Sequence, residues 1–215
     1  MKKIALFFAA FLFSAGIASA QFLSFGIKGG LNFSTLKFDD IQNITSGSGT
    51  YSLQSDESFQ GFHIGAMARV KLFSAYLQPE LYINTAGGNV LVEEFQSGGG
   101  STEYVRQIKY NKVDLPVLLG FKIGPARINA GPVASVILSE NSEIEEIIPE
   151  FEAMSKTATI GFQAGVGIDI LKMITLDYRF EGGLSRWGDE IEVGNNSYAF
   201  DSRANVHLIS VGILF

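Results

Sequence analysis

The chain has 215 residues, with 16 basic against 22 acidic side chains, a formal net charge of −6 and no cysteine. An acidic chain offers no basic footprint to a nucleic acid, and without cysteine there can be no disulfide, thiol nucleophile or thiolate metal site. The length suits one domain, and 24 glycines with only 5 prolines fit neither collagen nor a disordered tail.

The N-terminus has a basic tip (Lys2, Lys3), an apolar run from Ile4 to Phe13 and the triplet Ala18-Ser19-Ala20. This layout predicts a secretory signal peptide over residues 1–20 and a single domain over 21–215. The alternative is an uncleaved anchor, because 4–20 is nearly long enough to span a bilayer. Loss of Lys2 and Lys3 with the leader would take the net charge from −6 to about −8. Beyond the leader no apolar run reaches the length of a spanning helix, so strands must do any spanning.

Period-two alternation then recurs along the chain. Strand one, Phe25 to Leu36, sets Phe25, Ile27, Leu31 and Phe33 against Gly26, Lys28, Gly30, Asn32 and Ser34. Strand two, Phe59 to Leu72, sets Phe62, Ile64, Ala66, Ala68, Val70 and Leu72 against His63, Gly65, Arg69 and Lys71. After Phe73-Ser74, strand three sets Ala75, Leu77, Leu81 and Ile83 against Tyr76, Gln78, Glu80, Tyr82 and Asn84. Strands four and five form a hairpin around Gly124-Pro125, with Val113, Leu115, Val117, Leu119 and Phe121, then Ile128 to Leu138, on the apolar face. Strand six alternates from Ile160 to Ile170, strand seven from Ile174 to Glu181, and strand eight ends the chain with Ile209, Val211, Ile213 and Phe215 outside Ser210 and Gly212. Pro79, Pro116 and Pro132 fall inside these strands and predict bulges or local bends, since each removes a ladder donor.

The connections alternate in length. Strands pair through short turns at Phe73-Ser74, Gly124-Pro125 and Leu171 to Met173, and through long polar stretches at roughly 37–58, 86–103, 139–157 and 187–204. All four long stretches would emerge at one end, as in outer-membrane barrels. The expected fold is therefore all-β: an eight-stranded antiparallel up-and-down transmembrane β-barrel with short periplasmic turns and long extracellular loops, in the bacterial outer membrane. The Gly-, Ser- and Asn-rich face fits the narrow interior of eight strands, and the Ile-, Leu-, Val- and Phe-rich face suits lipid. A soluble lipocalin-like carrier, with the faces reversed around a small apolar ligand, is the alternative.

The stretch YNKVDLPVLLGFKI (Tyr110 to Ile123), the following Gly131-Pro132, the opening FGIKGGLNFS (Phe25 to Ser34) and the terminal Phe215 resemble the PorT-like outer-membrane β-barrel family of Bacteroidetes-type bacteria. The resemblance spans the domain and rests on a Leu-Pro inside a central strand, a Gly-rich first strand and an aromatic last residue. It implies an eight-stranded barrel inserted by the barrel-assembly machinery, which reads the last strand, so that Phe215 would be an assembly signal. The founding member is linked to protein secretion. The long loops do not share the match, and that role is not carried over.

The inward set holds Lys28, Arg69, Lys71, Lys112, Lys122, Arg127 and Arg179 against Glu80, Asp114, Asp169, Asp177 and Glu181. These charges could line a selective channel or proton path, or pair across a plugged lumen, because a buried unpaired charge is costly. His63 and His207 are the only histidines. Strand parity places His63 inside and His207 outside, separates His207 from Ser210, and no G-x-S-x-G elbow is present. Most acidic residues lie in the long stretches, as Asp39-Asp40, Asp56-Glu57, Glu93-Glu94, Glu145-Glu146 and Asp189-Glu190; such pairs could hold a divalent cation or simply be solvated. Within 139–157, Ser142 and Glu145 have capping-box spacing and Ile144, Ile147, Ile148 and Phe151 recur at helical intervals, a pattern for an amphipathic lid or partner-docking patch that Pro149 would break. Trp187, Tyr104 and Tyr198 suggest an interfacial aromatic girdle. No motif calls for a cofactor. The expected function is a non-enzymatic outer-membrane protein of structural, adhesive or partner-binding role. Its expected contacts are outer-membrane lipid, the barrel-assembly machinery and a protein partner or divalent cation at the loops. The alternative is an enzyme acting on lipid or peptide at the outer rim.

Overall fold

Alternating side chains close into a ring in the computed structural model, which describes residues 22–37, 41–46, 49–55, 58–96, 100–142, 144, 151–155, 158–171, 173–185, 188–193 and 196–215. Eight strands form the wall: β1 (Leu23–Lys37), β4 (Phe59–Leu72), β5 (Ala75–Gln96), β6 (Gly100–Ile123), β7 (Ala126–Ser142), β9 (Ala158–Ile170), β10 (Ile174–Gly183) and β12 (Asn196–Leu214). Each is antiparallel to its neighbours in that order, and β12 returns to pair with β1 from Gly26↔Leu214 to Lys37↔Arg203. Phe215 completes the seam: its N–H donates to the Phe25 carbonyl at 2.8 Å, and the Phe25 N–H donates back at 3.1 Å. The closed ladder leaves no edge in the bilayer, where an unpaired backbone group has no water to bond.

The three short turns each contain one left-handed residue: Phe73 (φ 57°), Gly124 (φ 62°) and Leu171 (φ 51°). Tight hairpin turns need a positive φ to match strand twist, which glycine adopts without steric cost and the other two do not. Their side chains project outward at that end, with Phe73 fully exposed.

On the lower part of each wall strand the apolar face points out. Along β6 the outward side chains from Val113 to Ile123 are apolar, with Leu119 65 % and Ile123 71 % exposed, while Lys112, Asp114 and Gly120 point in. Eleven residues of outward apolar alternation match the length that crosses a bilayer core at a tilt near 45°. A lipocalin-like carrier would need the reverse arrangement, so that alternative is overturned.

The described residues of the four long stretches are mostly strand. β5 and β6 continue past the apolar band as one hairpin, paired from Thr85↔Asn111 to Gln96↔Gly100. The stretch 37–58 holds β2 (Ile41–Ser46) and β3 (Gly49–Ser55), with β3 pairing on the upper part of β5. The stretch 139–157 holds β8 (Phe151–Ser155), and 187–204 holds β11 (Gly188–Val193) and the first half of β12, joined as β8-β11-β12. At about 3.3 Å per residue and a tilt near 45°, the 24 residues of β6 rise roughly 55 Å, about twice the apolar band. A strand-built head therefore stands above the membrane.

On β5, β6 and β12 the alternation keeps its parity in the head and exchanges its chemistry, whereas on β7 the parity breaks where Leu138 and Ser139 are exposed in succession. On β6, Ile108 and Tyr110 now point in while Gln107 and Lys109 point out; on β12, Ala204, Val206 and Leu208 point in while Arg203 and His207 point out. The inward apolar side chains, with Leu36, Ile44, Leu53, Val90 and Val92, form one buried core above the barrel. Water replaces lipid outside the wall at this level, so the apolar face turns to the interior.

Three further expectations change. The prolines make no bulge: the β5–β6 and β6–β7 ladders skip pairs near Pro79 and Pro116 and resume in the same register, and β7–β9 pairs straight through Pro132↔Phe162. A proline removes a donor, but the residue count on the two strands stays equal. The β6–β7 register shift lies instead at Asn111/Lys112, where the facing chemistry exchanges. Phe151 opens β8 rather than continuing a helix, and Ile144 is buried in the head, its N–H donating to Ser142 Oγ at 3.3 Å; Glu145, Glu146, Ile147, Ile148 and Pro149 lie outside the described residues. Tyr104 packs half-buried on the head core instead of joining a girdle, while Trp187, the Tyr198 side chain and the leader 1–20 also lie outside. Nearer the head Phe162, Tyr178, Phe180 and His207 form one aromatic cluster on β9, β10 and β12, with ring centroids in contact 5.3 to 6.1 Å apart. Phe22, Phe25, Phe73, Phe121 and Phe215 are exposed at the short-turn end.

Candidate functional site

Side chains on inward positions of eight strands converge on a space about as wide as the side chains themselves. Among the described residues five cations (Lys28, Arg69, Lys112, Arg127, Arg179) and five anions (Glu80, Asp114, Asp169, Asp177, Glu181) are buried there. A charge in such a low-dielectric site is tolerable only when paired and hydrogen-bonded.

Three linked groups satisfy that condition. At mid-height Glu80 accepts four hydrogen bonds: from Lys28 Nζ at 2.5 Å, from both Arg179 Nη atoms at 2.8 Å and from Gln78 Nε2 at 2.6 Å. These occupy the lone-pair sites of a carboxylate, and the forked Arg179 contact is the strong bidentate kind. Below, Asp169 accepts from Arg69 Nη1 at 2.9 Å, Arg127 Nε at 3.0 Å and Lys122 Nζ at 2.6 Å. Asp177 joins the two groups, taking Arg127 Nη2 at 2.8 Å and lying 3.5 Å from Arg179 Nη2; Arg127 also donates to Thr175 Oγ1. Above, Lys112 lies 2.8 Å from Glu181 and 3.2 Å from Asp114. Gln163 donates to Glu181 at 2.8 Å and to the Tyr82 hydroxyl at 2.5 Å. The Lys28 ammonium sits over the Tyr82 ring, 5.1 Å from its centroid, and ties the upper group to the middle one.

The charged residues singled out from sequence for the inward set all face this interior. Lys28, Arg69, Glu80, Asp114, Asp169, Asp177, Arg179 and Glu181 come together in the ion pairs, whereas Lys71, at the short-turn mouth, donates to Ser24 Oγ at 3.3 Å. The neutral partners escaped the sequence reading: Asn32 donates to Asn84, Asn84 to Asp114, and Gln78 bonds both Arg69 and Glu80. Inward parity marks each of them, but cross-strand register decides which meet.

His63 shares a 2.8 Å hydrogen bond with Ser210, a pairing invisible in sequence because 147 residues separate them. Both are buried, beside the ion pairs and beneath the head core. His207 lies outside, its Nδ1 2.9 Å from the Tyr178 hydroxyl. Neither histidine meets a Ser or Asp at the outer rim among the described residues.

The expected cation-binding pairs are dispersed. Glu93 and Glu94 lie on β5 and Asp189 and Glu190 on β11; Asp39, Asp40, Asp56 and Glu57 lie outside the described residues. Among the described residues no cluster of three His, Asp or Glu could hold a metal ion.

Paired charges fill the lumen, the five buried cations and the part-exposed Lys122 against five anions, and the mainly apolar core of the head lies beyond them.

Against known proteins, a family model described as an outer membrane protein beta-barrel domain matches residues 17–205. No curated protein matches the chain in sequence. Among solved structures it is similar to the outer membrane protein OprG of Pseudomonas aeruginosa, at 13 % identity over 89 % of this chain and 95 % of that one, with a TM-score of 0.44. It is similar also to Ail, the attachment invasion locus protein of Yersinia pestis, at 11 % identity over 89 % and 98 %, with a TM-score of 0.45. Neisserial surface protein A aligns at 13 % identity over 89 % and 97 %, with a TM-score of 0.46.

Proposed function

The chain belongs to the outer membrane protein β-barrel family and sits in the lipid of the bacterial outer membrane, and from that premise we propose that it is a non-conducting, non-enzymatic barrel whose working part is its extracellular head. Its role is structural, adhesive or partner-binding. The observation that carries this reading is the lumen, filled by paired charges and covered by the apolar core of the head. The charge network then acts as an internal brace, holding the wall strands in register so that the strand extensions above them stay rigid. Rigid strands present outward side chains such as Glu103, Val105, Gln107 and Lys109 in fixed positions, which suits recognition of a partner with little ordering cost.

Residues 1–20 are the export signal in this reading, and the barrel-assembly machinery reads β12 with Phe215 as its end. The Leu115-Pro116 strand and the Gly-rich β1 support placing the chain in the PorT-like branch.

Conductance tests the proposal directly. Purified protein inserted in a planar lipid bilayer should show no unitary current steps under applied voltage in molar potassium chloride. Reproducible steps abolished by replacing Arg179 would make the lumen a pore and end the closed-barrel reading.

A further inference from the structure

The outer wall carries a concavity that an evenly convex barrel would lack. On the lipid-facing side, across β6, β7, β9, β10 and β12, lies an apolar groove of about 550 Å3. Val166, Ile168 and Leu176 line it together with Ile209, Val211 and the Tyr178 ring. A second groove, of about 320 Å3, lies on the other side of the β6–β7 hairpin, between Ala75, Leu119 and Ala130. Phe121 and Ile128 line both grooves and form the ridge between them.

The local sequence accounts for this relief. Ala126 and Ala130 take outward positions on β7 beside Phe121 and Ile128, so small side chains alternate with large ones along a hairpin where most lipid-facing positions are filled. The inward-facing residues Arg127, Gly167, Asp177 and Ser210 also border the larger groove. The β7–β9 and β9–β10 ladders beneath are paired without a gap from Ala126↔Ile168 and Ile174↔Ile170 upward, and Arg127 and Asp177 fill the lumen behind them. Passage of a molecule through the wall is therefore not what they serve.

We propose that the paired grooves hold the two acyl chains of one glycerophospholipid, seated astride the Phe121–Ile128 ridge. Three features on the molecule favour this occupant. The grooves are continuous with the lipid-facing belt, so hydrocarbon is the medium that already meets them. Both lie toward the Gly124-Pro125 turn, the end with short turns, which in barrels of this architecture faces the periplasm. Finally, two grooves separated by one ridge match a lipid with two chains on one backbone better than a single-chain amphiphile. The inference rests on placement in the outer membrane and is independent of whether the lumen conducts.

Native mass spectrometry of the full protein, purified in a mild detergent and titrated with palmitoyl-oleoyl phosphatidylethanolamine or its single-chain lyso form, tests it. The parent should retain one two-chain lipid through collisional release of the detergent and hold the lyso form about tenfold less, a difference of about 1.4 kcal/mol. Val166→Trp, which fills the larger groove, and Ala130→Phe, which fills the smaller, should each reduce retention about tenfold. Ala66→Phe, at a lipid-facing position on β4 away from both grooves, should leave it unchanged. Gel mobility with and without boiling confirms that each variant is a folded barrel, and Ile168→Trp substitutes for Val166→Trp if that variant does not fold. Equal retention in the filled variants, equal binding of the lyso form, or no retained lipid in the parent would each overturn the proposal. So would a species of twice the chain mass that the filling substitutions abolish, which would make the grooves a contact between copies.

Discussion

Glu80 shows how much of this lumen depends on single atoms. Its carboxylate serves two buried cations, Lys28 and Arg179, and a buried amide, Gln78. Replacing it leaves both cations with less compensation in a space that water does not readily enter, and breaking a buried pair in this way costs about 3–5 kcal/mol. Glu80→Gln keeps the shape and removes the charge, so its unfolding free energy from urea titration in detergent should fall by an amount of that size, with a lowered midpoint. A variant as stable as the parent would mean that the network does not brace the barrel. Gly120 makes the complementary point about space: a β-carbon there would run into the Tyr76 ring, whose hydroxyl accepts from Asn129 Nδ2 at 3.2 Å. Glycine is needed at that position because an aromatic side chain already occupies the volume.

At the scale of the strand, the same alternation carries two meanings. Below the Asn111/Lys112 level most apolar side chains on β6 face lipid, as Val113, Leu115, Val117, Leu119 and Phe121 do, and above it Ile108 and Tyr110 face the core of the head. Two substitutions separate these environments. Val92→Asp places a charge in the head core, and should make the head sensitive to added protease while the barrel still shifts in gel mobility on boiling. Val117→Arg places a charge near the middle of the lipid-facing run, and should cost the barrel about 2–4 kcal/mol, seen as a lowered unfolding midpoint. If Val92→Asp left the head as resistant as the parent, the extensions would not be held by an apolar core. Prolines within strands fit the same logic. Pro79 and Pro132 sit on the lipid-facing side and Pro116 faces inward, and the β5–β6 and β6–β7 ladders skip only a few pairs beside them because the strands on either side hold the register.

For the whole molecule, closure is the property from which stability follows. Ladder bonds join every wall strand to two others, and the seam between β1 and β12 ends on reciprocal hydrogen bonds between Phe25 and Phe215. A barrel of this kind should resist detergent until boiled, so unboiled and boiled samples should migrate differently in gel electrophoresis. Identical migration would contradict the ring. The molecule divides into a lipid-embedded barrel, whose interior is charged, and a head in water, whose interior is apolar. Each part hides from its surroundings the side chains those surroundings would solvate poorly.

Sequence alone determined the lower barrel. Period-two patterning assigned every wall strand, the short turns and the facing of Lys28, Glu80, Arg179 and His63, because side chains in a strand alternate strictly and lipid demands an apolar exterior. The head was equally periodic, with Val90 and Val92 alternating with Asn89 and Glu93, and Ile108 and Tyr110 with Gln107 and Lys109. It read as loop because its outward face is polar, and only the described strand pairing revealed that the solvent had changed while the parity had not. Tertiary structure alone decided which inward residues touch. Partners such as His63 and Ser210, or Glu80 and Arg179, lie 147 and 99 residues apart in the chain, and the register of intervening strands, which no local pattern encodes, brings them within hydrogen-bonding distance.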